Sequence, residues 1–125
     1  MPFWVVVALS VAGGLGAVAR FVLDAAIQGR IRRAYPVGTT VINLTGSFLL
    51  GLVTGLAAAH ALPLQWRAVL GIGFLGGYTT FSTASFETVR LALAHRWGLA
   101  LLNGFGMMLG AFAAAALGMW LGGLR

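Results

Sequence analysis

Hydrophobic positions along this chain fall into four long runs with short polar punctuation between them. The runs cover about residues 3–27, 37–61, 66–94 and 97–124. A helix needs about 20 apolar residues to cross a bilayer, so the pattern predicts a single transmembrane domain over 1–125: an all-α membrane protein of four spans. The polar stretch 28–36 is the longest connection. The tryptophans Trp4, Trp66, Trp97 and Trp120 all fall near the ends of runs, where their amphipathic rings suit the headgroup layer. The third run is longer than one span requires and contains Gly76, Gly77, Tyr78, Thr79 and Thr80 in succession. Paired glycines followed by β-branched residues are poor helix formers, so the third helix is expected to be broken there.

Composition changes the picture in one direction. The 125 residues are 60% hydrophobic and 8% charged, against roughly a quarter charged in soluble domains, which leaves too few polar side chains to coat a water-soluble core. The formal net charge of +6 comes from eight arginines with no lysine. These are scattered near run ends instead of forming one basic face, which argues against nucleic acid and for lipid headgroups or a small anion. There is no cysteine, which excludes disulfides and thiolate metal sites. The N-terminal run lacks a basic leader and continues at full span length, so a cleaved signal peptide is not expected. His60 and His95 stand far apart with no nucleophile or paired carboxylate beside them, so no enzyme chemistry is visible.

Polar side chains within apolar spans are costly, and each is a functional candidate. In the second run Thr40, Asn43, Ser47, Gly51 and Thr54 recur every three or four residues and form one stripe. That stripe is either a hydrogen-bonding seam between helices or a pore-lining track in which the Asn43 amide donates to an anion. In the third run, a helix restarting after the break would aim its N-terminus and the hydroxyls of Thr80, Ser82 and Thr83 at a nearby anion. Phe81 could add the positive edge of its ring. Backbone carbonyls freed by the break are natural ligands for a cation. Arg20 and Asp24 are spaced to pair on one helix face, as are Glu87 and Arg90. Glycines at helical spacing, Gly51 with Gly55 and Gly106 with Gly110, favour close helix packing.

The segment Gly73-Phe-Leu-Gly-Gly-Tyr-Thr-Thr-Phe-Ser-Thr83, with Gly38-Thr-Thr-Val-Ile-Asn43 and Gly13-Gly-Leu-Gly-Ala-Val-Ala-Arg20, resembles the Fluc (CrcB) fluoride channels over essentially the whole chain. The resemblance implies four helices with the third broken, assembled as an antiparallel dimer with two fluoride pathways in the cell's inner (plasma) membrane. It implies a structural Na⁺ at the dimer interface, held by the backbone carbonyls of Gly76 and Thr79. It makes Asn43 the second-helix anion contact and Phe81 the first of two pathway phenylalanines. Ser47, Thr80, Ser82 and Thr83 complete the expected fluoride pathway, with Arg20 in a vestibule.

The chain departs from that family pattern at two places. Ala84 stands where the second phenylalanine is usual, and Phe86, two positions on, would point about 200° away. After Asn103, where the family often has polar pore-facing residues, the sequence reads Phe105, Met107, Met108 and Ala111. Arg30, Arg32, Arg33, Arg90 and Arg96 fall on one side of the membrane and Arg67 and Arg125 on the other, a bias that sets orientation. The sequence therefore predicts termini outside and a heterodimer with an oppositely biased relative, with the homodimer as the alternative. Passive fluoride export is the expected function. Two other readings are a non-conducting structural subunit of such a channel and a small multidrug-type proton-coupled exporter. The exporter needs an acid within the membrane, and Asp24, the one acid of the first run, lies near its end.

Overall fold

The computed structural model describes residues 1–123. Leu124, the expected end of the fourth span, and Arg125, one of the arginines in the orientation argument, lie outside the described residues. The elements are all helical. Helix α1 spans Phe3–Arg30 and α2 Val37–Ala58. Helix α3 occupies residues 64–78, in which Leu64–Arg67 and Gly76–Tyr78 are α-helical and Ala68–Leu75 is wound as a wider π-helix. Helix α4 is Ser82–Leu93. Helix α5 spans Trp97–Gly122 and contains a second π-helical turn at Leu102–Gly106. Helices α1, α2 and α5 are each long and apolar enough to cross a membrane, while α3 and α4 divide the third expected span between them.

Local chemistry accounts for the helix boundaries. Pro2, Pro36 and Pro63 each immediately precede a helix, where a missing N–H costs nothing and a fixed φ favours entry. The two histidines end helices. His60 and His95 both adopt φ of 59°, the left-handed conformation common one residue past a helix end. The following N–H then reaches back, Ala61 to the Leu56 carbonyl and Arg96 to the Leu91 carbonyl, each at 2.9 Å. Histidine tolerates this region better than most non-glycine residues. This is why α2 stops at Ala58, before the expected end at 61. Nothing comparable interrupts Gln28-Gly29-Arg30, and α1 continues through Arg30.

Glycine lets the helices touch backbone to backbone, and it does so along two seams. On the first, α2 meets α5: a Cβ on Gly51 would lie 2.9 Å from the Ala115 Cα, and one on Gly118 would lie 2.8 Å from the Leu52 N. Gly55 and Gly122 repeat the arrangement one turn further along each helix. On the second, α1 meets α3. There a Cβ on Gly73 would fall 2.7 Å from the Leu9 carbonyl oxygen, and one on Gly77 would fall 3.1 Å from the Gly13 Cα. Lipid offers no hydrophobic drive for helices to associate, so this close van der Waals approach is what joins them. Gly110, expected to act with Gly106, meets only the Leu44 side chain, and Gly106 meets Leu102 of its own helix. The partner of the Gly51/Gly55 pair is thus Gly118 with Gly122. Between the seams, Ile42, Leu75 and Tyr78 form a buried cluster, and the Tyr78 hydroxyl is 3.0 Å from the Thr45 hydroxyl.

Candidate functional site

Helix α3 stops at Tyr78. Thr79 is extended, with φ −79° and ψ 159°, and α4 begins at Ser82. Three residues of non-helical backbone in an apolar setting leave polar groups that must find partners. The Thr80 N–H would donate to the Gly76 carbonyl in a continuous helix. Here it donates to Asn43 Oδ1 at 2.9 Å, while Asn43 Nδ2 donates to the Thr80 carbonyl at 2.8 Å. One side-chain amide on α2 therefore pairs with both backbone groups of Thr80, as a neighbouring strand would. The Thr83 N–H, the helical partner of the Thr79 carbonyl, donates instead to the Thr80 hydroxyl oxygen at 3.2 Å. Arg20 Nε donates to the Gly77 carbonyl at 3.3 Å. Two carbonyls thereby lose their helical donors to side chains, those of Gly76 and Thr79. A carbonyl in that condition is a suitable ligand for a hard monovalent cation.

The break opens onto a cavity of about 440 Å³. Asn43, Ser47, Gly76, Thr79, Thr80 and Phe81 all line it, so the structure brings most of the expected site residues together. Ser82 and Thr83 are not on its wall. The Thr80 hydroxyl, whose oxygen accepts from Thr83, keeps its proton free to donate inward. Phe81 is 86% exposed on the subunit and stands at the cavity rim. Ala84, Ser85 and Thr88 continue the wall along α4, at the spacing of one helix face, and Phe86 is not part of it.

The second-span stripe divides. Asn43 and Ser47 face the cavity, Gly51 packs on Ala115, the Thr40 hydroxyl donates to the Tyr35 hydroxyl at 2.8 Å, and the Thr54 hydroxyl donates to the Leu50 carbonyl. The stripe is thus a cavity wall at Asn43 and Ser47 and a packing seam at Gly51.

The far wall is helix α5. Asn43 directs its second amide proton at the Met107 sulfur, 3.2 Å away, a weak acceptor. Asn103 is the one amide in α5 and is 1% exposed. Its Nδ2 donates to the Thr88 hydroxyl at 2.8 Å and to the Ala84 carbonyl at 3.1 Å, and its Oδ1 has no protein partner. It lies within the π-helical turn Leu102–Gly106, a form of helix frequent at functional sites. In the sequence Asn103 marks only where polar pore-facing residues are expected to follow, although a lone amide in an apolar span is signal enough to single it out.

Two expected ion pairs do not form. Arg20 reaches the Gly77 carbonyl, and Asp24 Oδ2 accepts instead from Gln28 Nε2 at 2.9 Å. Glu87 is buried beside Thr39 and Arg90, yet its Oε1 has no hydrogen-bond partner.

Residues 7–119 match the family model described as CrcB-like protein, Camphor Resistance (CrcB). The chain belongs to the CrcB family. Among its relatives in that family, a protein of Leifsonia xyli subsp. xyli named fluoride-specific ion channel FluC 1 is 62% identical over 96% of this chain and 88% of its own length. Fluoride-specific ion channel FluC 2 of Cutibacterium acnes is 49% identical over 89% of this chain and 91% of its own. Fluoride-specific ion channel FluC of Magnetococcus marinus is 41% identical over 93% of this chain and 95% of its own. As a CrcB protein with membrane-length helices, the chain is a multi-pass membrane protein, and its family is one of ion channels, not enzymes.

Proposed function

We propose that this chain is a pore-forming subunit of a fluoride channel that lets cytoplasmic fluoride leave passively through an antiparallel dimer. The observation that carries this reading is the cavity at the break, where Asn43, Ser47, Thr80 and Phe81 gather neutral donors around one apolar-walled path. Fluoride must shed water to enter a narrow path, and amide, hydroxyl and aromatic-edge contacts replace that water without the trapping strength of a fixed charge. Asn43 fits this role because its second proton rests on a thioether, which a fluoride ion readily displaces as acceptor. The names of the relatives support fluoride as the ion.

The break is the organising element. The carbonyls of Gly76 and Thr79, deprived of helical donors, would hold a structural Na⁺ where two subunits meet, supplying positive charge and fixing the non-helical backbone. Gly76 is exposed on the subunit and open to a partner. Arg20, placed on the Gly77 carbonyl, serves the break more directly than a vestibule. Ser82 and Thr83 lie beyond the cavity wall and enter the path only if the partner subunit extends it.

One observation favours a second reading. Met107 and Ala84 line the cavity where polar and aromatic side chains are usual for the family, so this chain could complete its pathways only with a homologous subunit of opposite orientation. Fluoride efflux from liposomes, followed with a fluoride electrode, tests both readings. Efflux by this chain alone, without chloride efflux, establishes the conducting homodimer. Efflux only on co-expression with a homologue establishes the heterodimer. A partner that conducts alone at an unchanged rate when this chain is added overturns the pore-forming role.

A further inference from the structure

A second cavity, of about 240 Å³, lies away from the break, where the end of α1, the loop before α2 and the middle of α4 converge. It is smaller than the roughly 300 Å³ at which drug-sized pockets begin. The two acids of the chain, Asp24 and Glu87, both line it, together with Arg32, Arg33 and Arg90. Asp24 Oδ1 and Glu87 Oε1 are each buried without a hydrogen-bond partner, and Glu87 is only 7% exposed. Gly38 makes this possible, since a Cβ there would collide with Asp24 Oδ1. The three arginines stand exposed at the rim.

A carboxylate oxygen can only accept, so two buried and unpartnered ones call for a donor from outside the chain. A bare metal cation would be opposed by three guanidinium groups and a simple anion by two carboxylates. A group carrying both charges satisfies each. We propose that this cavity binds an ammonium–phosphate zwitterion, the headgroup of an ethanolamine phospholipid, with its primary ammonium on Asp24 and Glu87 and its phosphodiester on Arg32, Arg33 and Arg90. Arginine forks suit phosphate oxygens. The site lies where α1 ends and α2 begins, beside the 31–36 connection that carries Arg32 and Arg33, a position suited to lipid headgroups.

Native mass spectrometry and thermal unfolding of the detergent-solubilised protein, with ethanolamine, choline or glycerol phospholipids of identical chains added, test this. Ethanolamine lipid should bind about tenfold more tightly and raise the melting temperature most. The choline headgroup has no N–H to donate and the glycerol headgroup has no ammonium. Asp24→Asn should erase that preference. Arg33→Gln, at an exposed position, should weaken ethanolamine and glycerol lipids together. Competition by soluble O-phosphoethanolamine would assign the affinity to the headgroup, and its failure to compete would assign it to the intact lipid. Equal binding of ethanolamine and choline lipids, or an ethanolamine preference that survives Asp24→Asn, overturns the proposal. None of these readouts depends on fluoride conduction.

Discussion

Replacing Asn43 by Ala removes, in one step, both bonds that hold Thr80 in the break. A neutral hydrogen bond contributes about 0.5–1.5 kcal/mol net, and a buried backbone group left unpaired costs about 1–3 kcal/mol. Thr80 is half-buried and borders a cavity that water can enter, so the lower part of each range applies. The expected loss is about 2 kcal/mol, or roughly a 30-fold shift away from the ordered break. Hydrogen exchange should show it as faster exchange at residues 79–83, with helix α1 unaffected, and thermal unfolding in detergent should show a lower midpoint. Fluoride efflux should fall at least as far, because the amide that orders the break is also the donor proposed for the ion. Asn43→Asp separates the two roles. Its carboxylate still accepts from the Thr80 N–H but repels both the Thr80 carbonyl and an incoming anion, so efflux should vanish while part of the exchange protection remains. An Asn43→Ala protein with unchanged exchange at 79–83 and an unchanged midpoint would refute the bracing role; unchanged efflux would refute the role in conduction.

Other expectations follow from the same structure. Gly118→Leu drives a side chain into the backbone of α2 at Phe48 and Leu52 and should cost at least about 1–3 kcal/mol, read as loss of a monodisperse peak in gel filtration; Gly14→Ala, with nothing within 4 Å, should leave that peak intact. Phe81→Ala should barely change the subunit's thermal midpoint, since the ring is largely exposed, yet lower fluoride efflux by roughly fivefold, as expected for loss of about 1 kcal/mol of edge contact. His60→Gly and His95→Gly relieve left-handed strain of about 1–2 kcal/mol against a glycine entropy cost of about 0.5–1 kcal/mol, so each should raise the midpoint modestly; a fall in both would show that the rings do more than end helices. Met107→Ser replaces a thioether by a hydroxyl on the cavity wall and should increase efflux if that wall limits conduction.

Some of this protein was determined by the sequence alone, because it follows from residue type and spacing. Sparse charge and four long apolar runs dictate helices in lipid, since only helices and closed β-barrels pair every backbone group there and barrel strands are short and alternate apolar with polar residues. Weak helix formers at Gly76 to Thr80 mark the part of the third run where the helix of the structure stops. Other features depend on which atoms meet across helices, and spacing along one helix does not carry that. Gly51 and Gly55 read as a packing pair, but only the fold shows that they meet Gly118 and Gly122 and not Gly106 and Gly110. Asn43 reads as a donor awaiting an anion; the fold shows the same amide already bracing Thr80. Arg20 and Asp24 are correctly spaced to pair, but a helix sets only their separation. The nearby Gly77 carbonyl, left without its helical donor, draws Arg20 away, and Asp24 is left to share a cavity with a glutamate more than sixty positions later in the chain. Tertiary structure decided these matters because unsatisfied polar groups in an apolar setting take the partner nearest in space.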